Sequence, residues 1–253
     1  MPKHVFITAG SKGIGRKVTE TLVKKGYSVT VNYRQDHKAV ETLTELLQPY
    51  SNQLLFIQGD ITKEEDIKRM VHEATETVGP IDILINNAGP YIFERKKLID
   101  YSNEEWYEMI EGNLSSVFHL LKLIVPTMRE NKFGRIITYG FQGADTAPGW
   151  IYRSAFSAAK VGLVSLTKTI AFEEAEHGIT ANMVCPGDIL GEMKEASIEY
   201  ARNHSGNNAP IGRSGTGEDI ARMIEFLCDE NSDMMTGSII EITGGVDVIN
   251  RYR

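Results

Sequence analysis

The sequence predicts an α/β fold, one doubly wound parallel sheet of seven strands with helices on both faces, forming a single domain over residues 1–253. Short runs rich in β-branched and aromatic residues alternate along the whole chain with longer segments whose apolar residues recur at helical spacing. Strands that alternate with helices in this way pair in parallel, because each helix carries the chain back across the sheet. A glycine-rich turn joins the first strand to the first helix, and 42% hydrophobic residues are ample for one core of this size.

The strands are expected at Val5 to Thr8, Ser28 to Asn32, Leu54 to Gln58, Ile81 to Ile85, Arg135 to Thr138, Thr180 to Val184 and Ser238 to Ile242. Each is a short apolar run bounded by polar or glycine residues, as buried parallel strands are. The helices are expected at Gly13 to Lys25, Lys38 to Pro49, Lys63 to Val78, Asn103 to Glu130, Ser154 to His177 and Gly217 to Cys228. Their apolar residues fall mostly at helical spacing, which gives each a face to lay on the sheet. Residues 187–214, rich in Gly, Asn and Ser and following the sixth strand, read as a substrate-covering loop with a helical middle from Glu192 to Asn203.

A net charge of -7 without a local Lys/Arg cluster argues against a nucleic-acid partner. The segment before Val5-Phe6-Ile7 is too short for a signal sequence, and no apolar run suggests a membrane span, so a cytoplasmic protein is expected. Cys185 and Cys228 lack metal-ligand or Cys-x-x-Cys spacing and read as buried, reduced thiols; no metal site is expected.

The first strand ends in Thr8-Ala9-Gly10-Ser11-Lys12-Gly13-Ile14-Gly15 and a helix follows at once. Backbone amides at such a helix start can meet a pyrophosphate, so Gly10, Ser11, Lys12, Gly13, Ile14 and Gly15 are read as a dinucleotide site. After the second strand, Asn32-Tyr33-Arg34 offers a guanidinium where an NAD site would carry a carboxylate for the ribose hydroxyl. Arg34 and Lys12 therefore point to NADP(H). Lys160 lies in the apolar helical stretch Ala158 to Leu163, where a cation needs a polar partner, and is read as a cofactor ligand.

Thr8 to Gly15, Asn86-Asn87-Ala88-Gly89, Asn113 and Pro186-Gly187 resemble the motifs of the short-chain dehydrogenases/reductases, over nearly the whole chain. Within that family the chain is most similar to 3-oxoacyl-[acyl-carrier-protein] reductases, through Gly112 to Phe118, Gly134 to Ile137, Gly178 to Asn182 and Gly244-Gly245. The resemblance implies a Rossmann-type fold and a homotetramer acting in fatty acid biosynthesis. It also implies that Asp60 and Ile61 border the adenine, Asn87, Ala88 and Gly89 the ribose, and Pro186, Gly187 and Ile189 the nicotinamide. Asn113 would organise a proton-relay water beside Lys160.

The departures bear on function. The family's catalytic tyrosine, four residues before the lysine, falls on Phe156, and its catalytic serine, counted from Gly134, falls on Phe141. The usual Tyr-x-x-x-Lys pair lies one helical turn apart, so that the ammonium helps the phenol give up its proton. Phe156 has no hydroxyl. Gly143 to Pro148 with Tyr152 and then Lys160 resembles the active-site stretch of enoyl-[acyl-carrier-protein] reductases, whose tyrosine also stands upstream of an apolar residue, although the spacing to the lysine differs by one. Tyr139 and Tyr91 are further hydroxyls expected at the carboxyl edge of the sheet.

Three readings follow. The first is an NADPH-dependent reductase of carbonyl compounds, acyl thioesters above all, with Lys160, Asn113 and Tyr152 as catalytic residues. The second is enoyl-thioester reduction through Tyr152. The third is an NADP-binding protein that has lost its chemistry. Apolar residues on the helices from Asn103 and Ser154, including Val117, Phe118, Leu120, Leu121, Leu163, Val164, Leu166 and Ile170, together with the terminal Arg251-Tyr252-Arg253, are expected at a self-association surface.

Overall fold

The computed structural model describes residues 2–204 and 209–249. Seven strands form one sheet: β1 His4–Ile7, β2 Ser28–Tyr33, β3 Leu54–Gln58, β4 Ile83–Asn86, β5 Gly134–Tyr139, β6 Ile179–Pro186 and β7 Ile239–Ile242. Every neighbouring pair is parallel, and the spatial order is β3-β2-β1-β4-β5-β6-β7. The helices are α1 Gly13–Lys24, α2 His37–Leu46, α3 Glu64–Val78, α4 Asn103–Ile110, α5 Ser116–Asn131, α6 Ser154–Glu173, α7 Ile198–His204 and α8 Gly217–Cys228.

Successive residues of a strand face opposite sides of a sheet, and here both sides are covered. Phe6, Leu84, Ile136 and Met183 pack with Ile67, Met70, Val117, Leu120 and Leu163 from α3, α5 and α6. Val5, Ile7, Ile83, Ile85 and Val184 pack with Val18, Leu22, Leu43, Ile220 and Ile224 from α1, α2 and α8. Near-continuous apolar strands are thus the sequence signature of a sheet buried twice. The chain winds outward from β1 in one direction and from β4 in the other, which opens a crevice beyond the carboxyl ends of those two strands.

Several boundaries differ from the sequence expectation for local reasons. The helix expected from Asn103 to Glu130 is interrupted by a π-turn at Glu111–Ser115 between α4 and α5. Gly112 sits in that turn, where a methyl group would come within 2.3 Å of Pro90 Cδ, so the turn lets the loop after β4 press into the helix. The helix expected to Pro49 stops at Leu46 and passes into a 3-10 turn at Gln48–Gln53, with Pro49 inside it. The helical middle of the loop after β6 is two short pieces, a 3-10 turn at Gly191–Lys194 and then α7.

The expectation that no segment approaches a membrane span is corrected by α6, which is long and apolar enough by length and composition. Its Ala155, Ala159, Leu163, Val164, Thr167 and Ala171 are buried, as those of a core helix are. The expected self-association residues also divide. Val117, Leu120, Leu121, Leu163 and Val164 are core residues of this chain, Leu166 and Ile170 are partly buried against that core, and Phe118 is exposed; Phe172, also on α6 and outside the expected set, is exposed too. Arg251, Tyr252 and Arg253 lie outside the described residues.

Candidate functional site

The crevice is built on two loops that are bolted together. Asn87 Nδ2 donates to the carbonyls of Thr8 and Ala9 at 2.9 and 3.0 Å, and the Ala88 amide donates to Thr8 Oγ1 at 2.8 Å. The glycine turn allows this closeness: a methyl group on Gly15 would come within 2.5 Å of both Ala9 O and Asn87 Nδ2. Ala9 takes a left-handed φ of 50°, so it adopts at some strain a conformation that glycine takes freely.

A cleft of about 690 Å³ runs along this edge, lined among others by Ser11, Lys12, Arg34, Asp60, Ile61, Ala88, Gly89 and Tyr91. Its floor is braced by buried Asn32, which accepts from the Ala9 amide at 3.2 Å and donates to Gly59 O at 2.9 Å. Asp60 accepts from the amide and hydroxyl of Thr62 at 3.0 and 2.8 Å, which fixes the loop after β3 beside Ile61. At the rim, Arg34 is exposed and its guanidinium has no side-chain partner among the described residues. Lys12 is held by Asp36, at 3.0 Å from Nζ to Oδ2. That bond holds the Asp36 carboxyl below its ordinary range.

Asp36 also caps α2 through the Ala39 amide, at 3.1 Å. Its place on the rim escaped the sequence reading, although an Asp just before a helical run is an N-cap signal. Glu195 was missed as well. Its carboxylate receives the Gly13 amide at 2.7 Å and Arg16 Nη1 at 2.8 Å, which ties the loop after β6 to the start of α1. The partners are 182 positions apart, and no local pattern signals the contact.

The inner end of the cleft brings Asn113, Gly89 and Lys160 together. The π-turn directs Asn113 inward, where its Nδ2 donates to the carbonyls of Pro90 and Met109, both at 3.0 Å. Its Oδ1 is buried with no hydrogen-bond partner among the described residues. A methyl group on Gly89 would lie 2.3 Å from that oxygen and 3.6 Å from Lys160 Nζ. Lys160 is 5% exposed, and desolvation pushes its ammonium down to about 8. No hydrogen bond to it is formed by the described residues. A buried acceptor and a buried cation, both lacking partners beside a glycine cradle, fit the hydroxyls of a bound nucleotide.

Beyond Lys160 the wall is aromatic. Lys160 Nζ lies 5.7 Å from the Phe156 ring centre. Phe141 packs on Trp150 at 4.9 Å and lies 6.3 Å from Phe156, and Tyr91 meets Phe156 edge-on at 5.0 Å. Phe141 and Phe156 are therefore neighbours on this wall.

Tyr152 has its ring near Arg95. It stands in a left-handed conformation, φ 64°, just before α6, and the Arg95 guanidinium lies 5.9 Å from its ring centre. No hydrogen bond or ring contact joins it to Lys160 or Phe156 among the described residues. Tyr139 is buried in the core on the other face of the sheet, where desolvation pushes its phenol up. After β6, the Gly187 amide donates to Ile242 O at 2.9 Å, and Ile189 is buried. Pro186 ends β6 there. Cys185 and Cys228 are buried free thiols, and desolvation pushes Cys185 up to about 12.

Residues 8–247 match the family described as enoyl-(acyl carrier protein) reductase. A Bacillus subtilis (strain 168) protein named "Putative oxidoreductase YtkK" is 68% identical over 250 residues, covering 98% of each chain. The 3-oxoacyl-[acyl-carrier-protein] reductase FabG of Staphylococcus epidermidis is 33% identical over 97% of this chain and 99% of its own length. A solved Bacillus thuringiensis structure, titled a "putative 3-oxoacyl-reductase", superposes with a TM-score of 0.94 at 64% identity, covering 99% of this chain and 100% of that one. ElxO, solved with NADP bound, superposes with a TM-score of 0.83 at 29% identity, covering 96% of this chain and 98% of that one. A tyrosine-to-phenylalanine variant of ElxO has been solved with NADPH bound.

Proposed function

The chain belongs to the short-chain dehydrogenase/reductase family, and within it we propose that it is an NADPH-dependent oxidoreductase that reduces the carbonyl group of an acyl thioester, as the 3-oxoacyl-[acyl-carrier-protein] reductases it resembles do. The convergence of Asn113 Oδ1 and Lys160 Nζ on Gly89 carries this reading. A buried ammonium with no protein acceptor is a burden to the fold unless a ligand uses it.

When bound, NADPH supplies the hydride. The chain's own residues bind and orient it. Gly10, Ser11, Gly13, Ile14 and Gly15 offer the turn and helix start to the pyrophosphate, and Arg34 with Lys12 meets the 2'-phosphate. Asp60 and Ile61 border the adenine, Asn87, Ala88 and Gly89 the ribose, and Pro186, Gly187 and Ile189 the nicotinamide. Lys160 holds ribose hydroxyls, and Asn113 holds a relay water through its unpaired oxygen. On this reading the protein works in the cytoplasm in fatty acid biosynthesis as a homotetramer, with the described residues of the loop after β6 covering the substrate and Phe118 and Phe172 open to association; residues 205–208 of the expected loop lie outside the described residues.

Enoyl-thioester reduction through Tyr152 has the family description in its favour. The placement of the Tyr152 ring beside Arg95 is against it. The test is NADPH oxidation with matched 3-oxoacyl and 2-enoyl thioesters, run beside a direct NADPH-binding titration. Oxidation with the 3-oxoacyl thioester is expected. Oxidation with the enoyl thioester alone would favour the second reading, and tight binding with no oxidation would leave a nucleotide-binding protein without this chemistry.

A further inference from the structure

The hydroxyl absent at Phe156 has a neighbour that can stand in for it. Phe156 and Lys160 lie one turn apart on one face of α6, and Arg153 stands just before the helix as its N-cap residue. Tyr91, from the loop after β4, lies across that face. Its ring meets Phe156 at 5.0 Å and an interplanar angle of 84°, with Phe93 at 5.1 Å on its other side. It lines the same cleft as Ala88, Gly89 and Pro90.

Arg153 fixes that phenol. Its Nε donates to the Tyr91 oxygen, while Nη1 donates to the carbonyls of Glu94 and Tyr152, both at 2.9 Å, and Nη2 to that of Phe93 at 3.2 Å. A guanidinium only donates, so the phenol oxygen is the acceptor in this bond. The phenol's own hydrogen has no acceptor among the described residues and is left for a ligand.

We propose that Tyr91, held by Arg153 against Phe156, donates the proton that the substrate's carbonyl oxygen takes up. The proposal rests on the carbonyl-reductase reading above and names the acid which that reading lacks. With NADPH bound, its hydride would go to the carbonyl carbon while the π pair of the C=O bond moves to oxygen. That oxygen takes the Tyr91 proton and becomes an alcohol. The phenolate left behind is hydrogen-bonded by Arg153 and regains a proton from water. Tyr91 is the catalytic residue and Arg153 a positioning residue, whose three carbonyl contacts hold residues 93, 94 and 152 in place.

The test compares the wild type with Tyr91→Phe, which keeps the ring and its packing. With NADPH and acetoacetyl-coenzyme A, kcat is expected to fall by ~10²–10⁴-fold, the range for loss of a positioned acid, with NADPH affinity unchanged. Retention of half the wild-type kcat overturns the proposal. A second arm needs no turnover: calorimetric binding of acetoacetyl-coenzyme A to the cofactor-free protein should weaken on the order of fivefold in Tyr91→Phe, the worth of about one hydrogen bond. Equal affinity, or no binding by either protein, overturns the proposal whatever the activity shows. A wild type that binds the ligand in a Tyr91-dependent way without reducing it would instead defeat the reductase reading and leave the Tyr91 contact standing. Arg153→Lys should lower kcat and leave KM for NADPH unchanged, whereas a change in NADPH affinity would mark it as a general structural prop.

Discussion

Lys160 stands one helical turn beyond Phe156 on α6, with its ammonium 5.7 Å from the centre of that ring. The pair reproduces the spacing in which a lysine assists a phenol, with the phenol's oxygen removed. What remains is a buried cation beside an aromatic face, an attraction worth about 0.5–2 kcal/mol. That does not offset the cost of keeping the ammonium out of water without hydrogen bonds.

Restoring the oxygen is the most direct test of this register. In a Tyr91→Phe background, Phe156→Tyr should raise kcat for 3-oxoacyl thioester reduction by about 10²-fold, toward the contribution of a well-placed acid. The gain should vanish when Lys160→Met is added. An unchanged kcat on adding Phe156→Tyr to Tyr91→Phe would show that the reaction takes place away from this turn of α6.

Lys160 should also leave a thermodynamic trace. Its folded value of about 8 lies below the ordinary 10.5, so between those values the unfolded chain holds the proton more tightly than the folded one. Stability contributed by this group therefore rises with pH across that window, and the penalty is fully present below it. Lys160→Met should unfold at higher urea near pH 7, by roughly 2–3 kcal/mol, with the gap closing as pH nears the unfolded value. The same variant should lose NADPH-dependent turnover. A variant less stable than wild type at pH 7 would mean that the ammonium has stabilising partners after all.

Gly89→Ala tests the cradle. The added methyl would lie 2.3 Å from Asn113 Oδ1, and that side chain is pinned by two carbonyl contacts at 3.0 Å and cannot easily yield. NADPH affinity should fall by at least ~10-fold, about 1.4 kcal/mol, while circular dichroism stays that of the wild type. Unchanged affinity would place the ribose away from Gly89.

The parts of this arrangement that could be read from the sequence are those set by local rules. β3 Leu54–Gln58 and α8 Gly217–Cys228 have the predicted bounds because apolar periodicity and a capping Thr216 define them within a few residues. The glycine turn was legible because its backbone conformation demands particular residues. The π-turn that aims Asn113 was not, since Pro90 pressing on Gly112 is a tertiary event imposed on a helical pattern. Tyr91 and Arg153 are 62 positions apart, and only the crossing of the loop after β4 over α6 makes them a pair. Tyr152, nearer in sequence to Lys160, was the natural candidate, but the left-handed turn at Tyr152 sets it beside Arg95.

The rim of the cleft makes a prediction about which cofactor is preferred. Lys12 and Arg34 both carry charge there, but Lys12 is neutralised by Asp36 at 3.0 Å and Arg34 is not paired by a side chain among the described residues. Arg34 is therefore the group free to form a charge-assisted bond with a 2'-phosphate, worth about 1.5–3 kcal/mol. Arg34→Ala should weaken NADPH binding by ~10–100-fold and NADH binding little. The loss should shrink as salt is added, because the contact is exposed and screened. Asp36→Asn should act in the opposite direction: it removes a carboxylate that repels the phosphate and releases Lys12 to meet it. The asparagine keeps the N-cap on Ala39, so α2 should be retained. If both variants bind NADPH like the wild type, the 2'-phosphate does not lie at this rim.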